Sequence, residues 1–245
     1  MKAIILAGGL STRLRPLTNE IPKCLLELDG KAMIDYQLDN LRKAHVTDIV
    51  VVTGYQVEAL SAHLSKHTDL SITYVHNPDF ESTYPAYGLY LAREYFDGGF
   101  LYLNSDVVCH PDIVKSTVEH TAESVTAVQK NDWDEEEVNV ILAEDSTQVI
   151  EMGKHISRVL SDGEFIGVTK ISGNFIETLT TVLEDFVKKG ELQKFAADSI
   201  NLAIQRGGYM EMNDVTNLPA IEVDTPDDYE LATKRVEEIK DIFRT

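Results

Sequence analysis

The sequence predicts an α/β fold, a mostly parallel, partly mixed sheet covered by helices on both faces in three layers. Three observations carry this expectation. Runs rich in Val, Ile and Tyr alternate with helix-patterned segments through the N-terminal part of the chain. The connections between them are short, as in βαβ units, whose parallel sheets are buried on both faces. Finally, 245 residues with 43% hydrophobic content suffice to cover such a sheet on both sides.

Lys2–Leu6 is a short apolar run that reads as a buried strand. Met33–Ala44 follows as a helix, Asp48–Thr53 as a strand, Gln56–Ser65 as a helix and Ser71–Val75 as a strand. Pro85–Phe96 reads as a helix opened by a proline, at the position where a missing N–H is harmless. Phe100–Asn104 is the next strand. After residue 124 the pattern changes: Val125–Lys130, Val138–Ala143, Val149–Met152 and Glu164–Ile171 read as strands without helical crossovers, which predicts an antiparallel or mixed addition. Helices at Asn174–Lys188 and Asp198–Gln205 and strands at Tyr209–Met212 and Ala220–Val223 come next. The last helix has a legible start, with Thr225 as N-cap, Pro226 at the first helical position and Asp227 and Asp228 in the positive first turn. It is expected to run to about Phe243. No repeat, low-complexity stretch or linker interrupts the pattern, so one domain over 1–245 is expected.

Lys and Arg number 22 against 41 Asp and Glu, a formal net charge of −19. Binding to a polyanion rests on neutralising its phosphates, so neither nucleic acid nor an anionic membrane surface is an expected partner. The imbalance is uneven. The first 23 residues carry Lys2, Arg13, Arg15 and Lys23 against Glu20, a local +3, which leaves −22 for the other 222. Apolar runs fall far short of the roughly 18 residues of a membrane span, and the N-terminus lacks a signal-peptide core and cleavage pattern, so the expected location is the cytoplasm. Cys24 and Cys109, without a CxxC or a Cys/His cluster, read as buried free thiols. His63 and His67 are four apart on one helix without a visible third ligand, and read as surface residues.

The informative segment is Leu6-Ala7-Gly8-Gly9-Leu10-Ser11-Thr12-Arg13-Leu14-Arg15-Pro16-Leu17-Thr18, closed by Pro22-Lys23. Paired glycines after a strand let a loop approach a ligand and aim backbone N–H groups at it, which suits a phosphate chain, and Arg13 and Lys23 add positive charge. GxxxxGK[ST] and GxGxxG are both absent, which excludes a Walker loop and a dinucleotide fingerprint. The string GGxxTRLRPLT with PK close behind resembles the nucleotide-binding motif of the nucleotidyltransferases that make activated sugars and alcohols. That resemblance implies a Rossmann-like fold of the nucleotide-diphospho-sugar transferase type. It also implies that Gly8, Gly9 and Arg13 hold the triphosphate of an NTP, that Lys23 approaches the α-phosphate, and that Leu6 and Ala7 lie beside the nucleoside. The domain then divides into a nucleotide-binding part at about 1–123, an acceptor-binding part at about 124–219 and a C-terminal helix at 225–243.

Asp106, in Asn104-Ser105-Asp106, follows a strand at the carboxyl edge where open α/β sheets bind ligands, and Asp224 ends a strand just before the last helix. Either alone could be a cap. Together they match the family's two Mg²⁺-binding aspartates, and hard carboxylate oxygens suit that ion. The resemblance thus names Lys23, Arg13 and Asp106 as catalytic, Asp106 and Asp224 as metal ligands and Mg²⁺ as cofactor. An acceptor phosphate or phosphonate oxygen is ionised near neutral pH, so the chemistry needs alignment and charge neutralisation rather than a general base.

The stretch Val75–Leu89, with Asn77-Pro78 and Tyr84-Pro85-Ala86, stands where the family reads the base. It looks most similar to small cytidylyltransferases for phosphocholine and aminoalkylphosphonates, so CTP is the expected donor, with Tyr84 and Ala86 at the nucleotide. Lys154, Gly167 and Asp198 are the acceptor-side candidates. Ala196 and Ala197 stand where phosphocholine enzymes of that branch carry aromatics, and Trp133 is the only Trp, which weakens a choline cage. Asp198 and the acidic run Asp132–Glu137 are candidates to receive an amine or hydroxyls, the run reading otherwise as a solvated loop. The expected activity is transfer of CMP from CTP to a small phosphorylated or phosphonate acceptor with release of pyrophosphate; a homodimer is compatible with it. The competing readings are a sugar-1-phosphate nucleotidyltransferase using UTP, dTTP or GTP, and a catalytically silent nucleotide sensor. Retention of Lys23, Arg13, Asp106 and Asp224 together argues against the sensor. A glycosyltransferase would show Asp-x-Asp where this chain has Asn104-Ser105-Asp106.

Overall fold

The computed structural model describes residues 1–130 and 137–240. In chain order they form β1 (Lys2–Ala7), the hairpin β2 (Glu27–Leu28) and β3 (Lys31–Ala32), α1 (Met33–Lys43), β4 (Asp48–Thr53), α2 (Val57–Leu64), β5 (Ser71–His76), α3 (Pro85–Leu91), β6 (Phe100–Asn104) and β7 (Val107–Cys109). Then come α4 (Pro111–Glu119), β8 (Val125–Gln129), β9 (Asn139–Leu142), β10 (Val149–Gly153), β11 (Gly163–Ile171), α5 (Asn174–Lys189), α6 (Ala196–Gln205), β12 (Glu211–Asp214), β13 (Ala220–Glu222) and α7 (Pro226–Lys240). The part of the acidic run at 132–136, with Trp133, and the expected helix beyond 240 lie outside the described residues.

β6, β1, β4 and β5 lie side by side and parallel, with Ile4 flanked by Val50 and Tyr102. The chain winds from β1 to β4 to β5 on one side, then returns through α3 to lay β6 on the other side of β1. That reversal is a topological switch point, and it opens a crevice between the carboxyl ends of β1 and β6. β11 runs antiparallel to β6 and carries the rest of the sheet: β9 and β10 on one branch, β8 and β12 on the other, with β12 parallel to β8. The expected antiparallel addition after residue 124 is therefore present, and the sheet is mixed.

Strand alternation decides which residue faces which helical layer. Ile4, Val50 and Val52 pack with α3, α5 and α6 on one face, and Ala3, Ile5, Ile49 and Val51 with α1, α2 and α4 on the other. A third cluster joins Leu14, Leu26 and Leu28 to Val223, Ala232 and Val236, so the N-terminal loop and α7 share one small core.

Several elements differ from expectation for identifiable reasons. The helix from Pro85 is α-helical only to Leu91, then tightens into a 3-10 turn at Arg93–Tyr95 that brings Phe96 over Phe100 at 4.2 Å. α4 was hidden in a β-branched run, Ile113, Val114, Thr117 and Val118; it starts at Pro111, and the His110 ring accepts from the Asp112 N–H at 3.0 Å. The strand expected at Tyr209–Met212 pairs two residues later, because its register is set by β8. The β2–β3 hairpin turns on Asp29 and Gly30, both at positive φ.

Candidate active site

The crevice between β1 and β6 is the mouth of a cleft of about 560 Å³. Its first wall is the loop after β1. A Cβ on Gly8 would come within 3.2 Å of the Thr53 backbone, tight enough that a side chain there would press the loop away from the end of β4, whereas Gly9 faces open space. Leu14 is fully buried and anchors the segment, and the Thr18 hydroxyl donates to the Ser11 carbonyl at 2.9 Å. Arg13 follows on a 3-10 turn. A second 3-10 turn, Lys23–Leu25, buries Cys24 and points Lys23 back across the cleft.

The acids arrive from two strand ends. Asp106 sits in the turn between β6 and β7. β13 pairs antiparallel with β7, Glu222 opposite Val107, and the Val223 N–H donates to the Asp106 carbonyl at 3.0 Å. That pairing sets Asp224 beside Asp106 across more than a hundred residues of sequence. The Asp228 carboxylate accepts from the N–H groups of Asp224 and Thr225 and from the Thr225 hydroxyl, while its own N–H donates to that hydroxyl, a capping box at the start of α7.

The four charged groups converge. Lys23 Nζ lies 2.7 Å from Asp106 Oδ2 and 2.6 Å from Asp224 Oδ1, and Arg13 Nη2 lies 2.6 Å from Asp224 Oδ2. Burial alone would lower the Lys23 ammonium; the two carboxylates outweigh it and hold it above the ordinary lysine range. Burial would likewise raise Asp224, but Lys23 and then Arg13 hold it below the usual carboxylate range. Asp106 Oδ1 is buried and has no hydrogen-bond partner among the described residues. An orphaned carboxylate oxygen beside a second carboxylate, both already gathered around one cation, is a hard-oxygen donor set that fits Mg²⁺.

Leu6, Ala7, Gly8, Gly9, Arg13, Lys23, Tyr84, Lys154, Asp106 and Asp224 all line the cleft. Ala86, Gly167 and Asp198 do not. Ala86 points into the core from the first turn of α3. Gly167, at φ 73°, lies against Asn104 and Val107, where a Cβ would come within 2.9 Å. Asp198 caps α6, its Oδ2 accepting from the Phe195 N–H at 2.7 Å.

The far wall joins the expected Tyr84, Lys154 and Glu137 to Tyr102, Phe165, Phe195 and Glu222, which sequence reasoning left out as site residues. The N–H groups of Tyr84 and Ala86 donate to the carbonyls of Leu192 and Lys194, which brings the segment before α3 against the segment before α6. Tyr84 and Phe195 rings therefore meet at 5.2 Å, with Lys154 Nζ 5.4 Å above Phe195. Tyr102 and Phe165 stack at 6.4 Å, and Glu137 and Glu222 add two more carboxyls. Burial, then the charges of Asp106, Glu137 and Asp224, push Glu222 well above the usual range. Its signal was present, since Glu222 and Asp224 alternate with apolar Ile221 and Val223 on one strand face.

His63 and His67 do have a third neighbour: both Nε2 atoms point at Asp35 Oδ1, at 2.8 and 3.0 Å. Arg42 Nη2 stands 3.0 Å from His67 Nδ1. A guanidinium can only donate, so His67 carries its proton on Nε2, towards Asp35. The trio is a hydrogen-bonded cluster, not a cradle for a metal on that nitrogen.

Comparisons with known proteins fit this geometry. The fold is that of the CTP:phosphocholine cytidylyltransferase of Streptococcus pneumoniae, with TM-score 0.81 and 22% identity, covering 96% of this chain and 98% of that one. In sequence, the chain is 33% identical over 139 residues to a UTP–glucose-1-phosphate uridylyltransferase of Haloferax volcanii, covering 55% of this chain and 56% of the relative. It is 27% identical over 199 residues to a CTP:phosphoglutamine cytidylyltransferase of Campylobacter jejuni, covering 75% and 78%. The chain spans about half the length of the curated relatives it matches first. Among the described residues no helix is long and apolar enough to cross a membrane. Residues 2–153, well over half of the chain, match the nucleotidyl transferase family, and the chain belongs to it.

Proposed function

We propose that the protein is a Mg²⁺-dependent nucleotidyltransferase that moves a nucleoside monophosphate, CMP by preference, from an NTP to a small phosphorylated or phosphonate acceptor. The observation that carries this reading is the convergence of Lys23, Arg13, Asp106 and Asp224 beside the Gly8-Gly9 loop. An oxygen of the acceptor's phosphate attacks the α-phosphorus, the bond to the bridging oxygen breaks, and pyrophosphate departs with that electron pair. Lys23 and Arg13 hold the triphosphate and neutralise the charge that gathers as the two anions meet. Asp106 and Asp224 would hold Mg²⁺, which supplies Lewis-acid stabilisation of the phosphoryl oxygens when bound. In doing so they exchange partners: the two cations that now balance the carboxylates become the phosphate clamps.

CTP is favoured by the shape of the Asn77–Tyr84 segment, held by the Asn77 amide donating to Thr83, and by the cytidylyltransferases among the relatives. A second reading, a sugar-1-phosphate nucleotidyltransferase using UTP or GTP, is favoured by the higher identity to uridylyl- and guanylyltransferases. A pyrophosphate-release assay with four NTPs against phosphocholine, 2-aminoethylphosphonate and sugar 1-phosphates decides. Release with CTP and an alcohol phosphate or phosphonate is expected. Release only with a sugar 1-phosphate would establish the second reading, and no release with any pair would remove both.

A further inference from the structure

The carboxylate of Asp106 is aimed by a two-residue excursion, Ser105-Asp106, between β6 and β7. Its bracketing carbonyls, those of Asn104 and Val107, are held by one side chain from the opposite layer. Gln37, on α1 and 2% exposed, donates its Nε2 hydrogens to Asn104 O at 2.6 Å and to Val107 O at 2.8 Å. Two carbonyl acceptors fix which way the amide points. On the other side Gly167 of β11 lies against Asn104 and Val107 too closely to admit a Cβ. The turn is thus clamped between an amide and a bare backbone.

Gln37 Oε1 is buried without a hydrogen-bond partner among the described residues. Leucine would fill the space without that unsatisfied oxygen, so the amide is there for its donors. We propose that Gln37 is a positioning residue, whose amide fixes the Asn104–Val107 turn so that Asp106 faces Asp224 and Lys23. The inference rests on the metal-binding reading of Asp106.

Asn40 supplies the control. It is one turn further along α1 and 1% exposed, its amide donates to the Cys109 carbonyl at 2.9 Å, and its Oδ1 is likewise unpartnered among the described residues. Cys109 lies beyond the turn. Gln37→Leu and Asn40→Leu should therefore lower Tm similarly, while only Gln37→Leu should disturb the metal site. The measurement is Mn²⁺ binding by electron paramagnetic resonance, on full-length protein saturated with a non-hydrolysable CTP analogue, with kcat measured alongside. Groups that orient metal ligands typically matter by 10–100-fold, so Gln37→Leu should weaken Mn²⁺ and lower kcat by roughly 10-fold or more, with KM for NTP within about threefold. Asn40→Leu should stay within about twofold on both. Wild-type Mn²⁺ affinity in Gln37→Leu, or an equal loss in Asn40→Leu, would overturn the proposal. Should Gln37→Leu fail to fold, Gly167→Ala pushes the same turn from the other side and should weaken Mn²⁺ likewise; unchanged binding there would count against it. Asp106→Asn separates the two levels. If it keeps Mn²⁺ affinity, the metal reading fails and takes this inference with it; if it loses affinity while Gln37→Leu does not, only the positioning role fails.

Discussion

The two walls of the cleft are built in different ways. On one side, Gly8, Gly9, Arg13 and Lys23 come from a single continuous loop that leaves β1, and their chemistry is written in one short stretch of sequence. On the opposite side, Tyr84, Lys154, Phe165, Phe195 and Glu222 come from five separated segments, joined by strand pairing and by the bridge between residues 84–86 and 192–194. The first wall is charged, and in the proposed reading it serves any NTP. The second is aromatic and acidic, and in the proposed reading Lys154, Phe195 and Glu222 meet the acceptor there while Tyr84 stays at the nucleotide. A local loop can be read from a motif, whereas an assembled wall can only be seen once folded.

Substitutions in the charged cluster where the first wall meets the strand-end acids, Lys23 with Asp106 and Asp224, should be the most damaging. With Asp106 as a Mg²⁺ ligand, as proposed, Asp106→Asn should lower kcat by about 10³-fold or more with little change in Tm; an unaltered rate at saturating Mg²⁺ would break the metal assignment. Lys23→Ala should lower kcat by about 10²–10³-fold. It also strips two neighbouring carboxylates of their shared cation, so Tm of the metal-free protein should drop and added Mn²⁺ should restore it. For the same reason Mn²⁺ without nucleotide should bind Lys23→Ala more tightly than wild type, and weaker binding would refute the exchange of partners.

The second wall should answer in KM. With Lys154 holding the acceptor's phosphate, as proposed, Lys154→Ala should lose a charge-assisted contact worth about 1.5–3 kcal/mol, so acceptor KM should rise roughly 10-fold or more with KM for NTP unchanged. Equal effects on both substrates would erase the distinction between the walls. Asp198→Ala sharpens it from outside. As a helix cap it should cost about 1 kcal/mol of stability and leave both KM values alone, whereas a selective rise in acceptor KM would return Asp198 to the acceptor site.

The smallest effect belongs to a pair remote from both walls. Hydrogen bonding from Arg42 draws the Asp69 carboxyl down to about 2. A depressed native value stabilises the fold above the unfolded value of about 4, and that contribution fades as pH falls from there towards 2. Asp69→Asn should therefore be slightly less stable than wild type at neutral pH. Urea denaturation at several pH values should show the gap closing between pH 4 and 2, and a constant gap would show that the pair does not act through its charge.

The contrast between the walls also explains how much was legible beforehand. β4 and β6 were expected with the bounds they have, because a buried parallel strand is a short apolar run with sharp ends. α4 escaped because its β-branched residues imitate a strand, and only Pro111 and the His110 cap betray it. Asp106 and Asp224 were recognisable as a pair of strand-end acids through the family resemblance; that one lysine holds both, 83 and 201 residues away, was not. Asp198 looked like an acceptor ligand because an acid near alanines is ambiguous in sequence; the fold engages its Oδ2 with the Phe195 N–H at 2.7 Å and leaves it off the cleft lining.

By itself the sequence determined the alternation that folds into a mixed sheet between two helical layers, and the glycine, arginine and lysine loop that resembles a nucleotide-binding motif. Both are local, set by periodicity and by neighbours in the chain. Only the tertiary structure decided that Lys23 lies between Asp106 and Asp224, that Gln37 braces the turn beneath them, and that Tyr84 meets Phe195. Those contacts depend on strand register and on the crossing from β5 to β6, which no stretch of neighbouring residues encodes. The +3 of the first 23 residues is the plainest case: the sequence gathers the positive charge, and the fold supplies the acids that Lys23 and Arg13 meet.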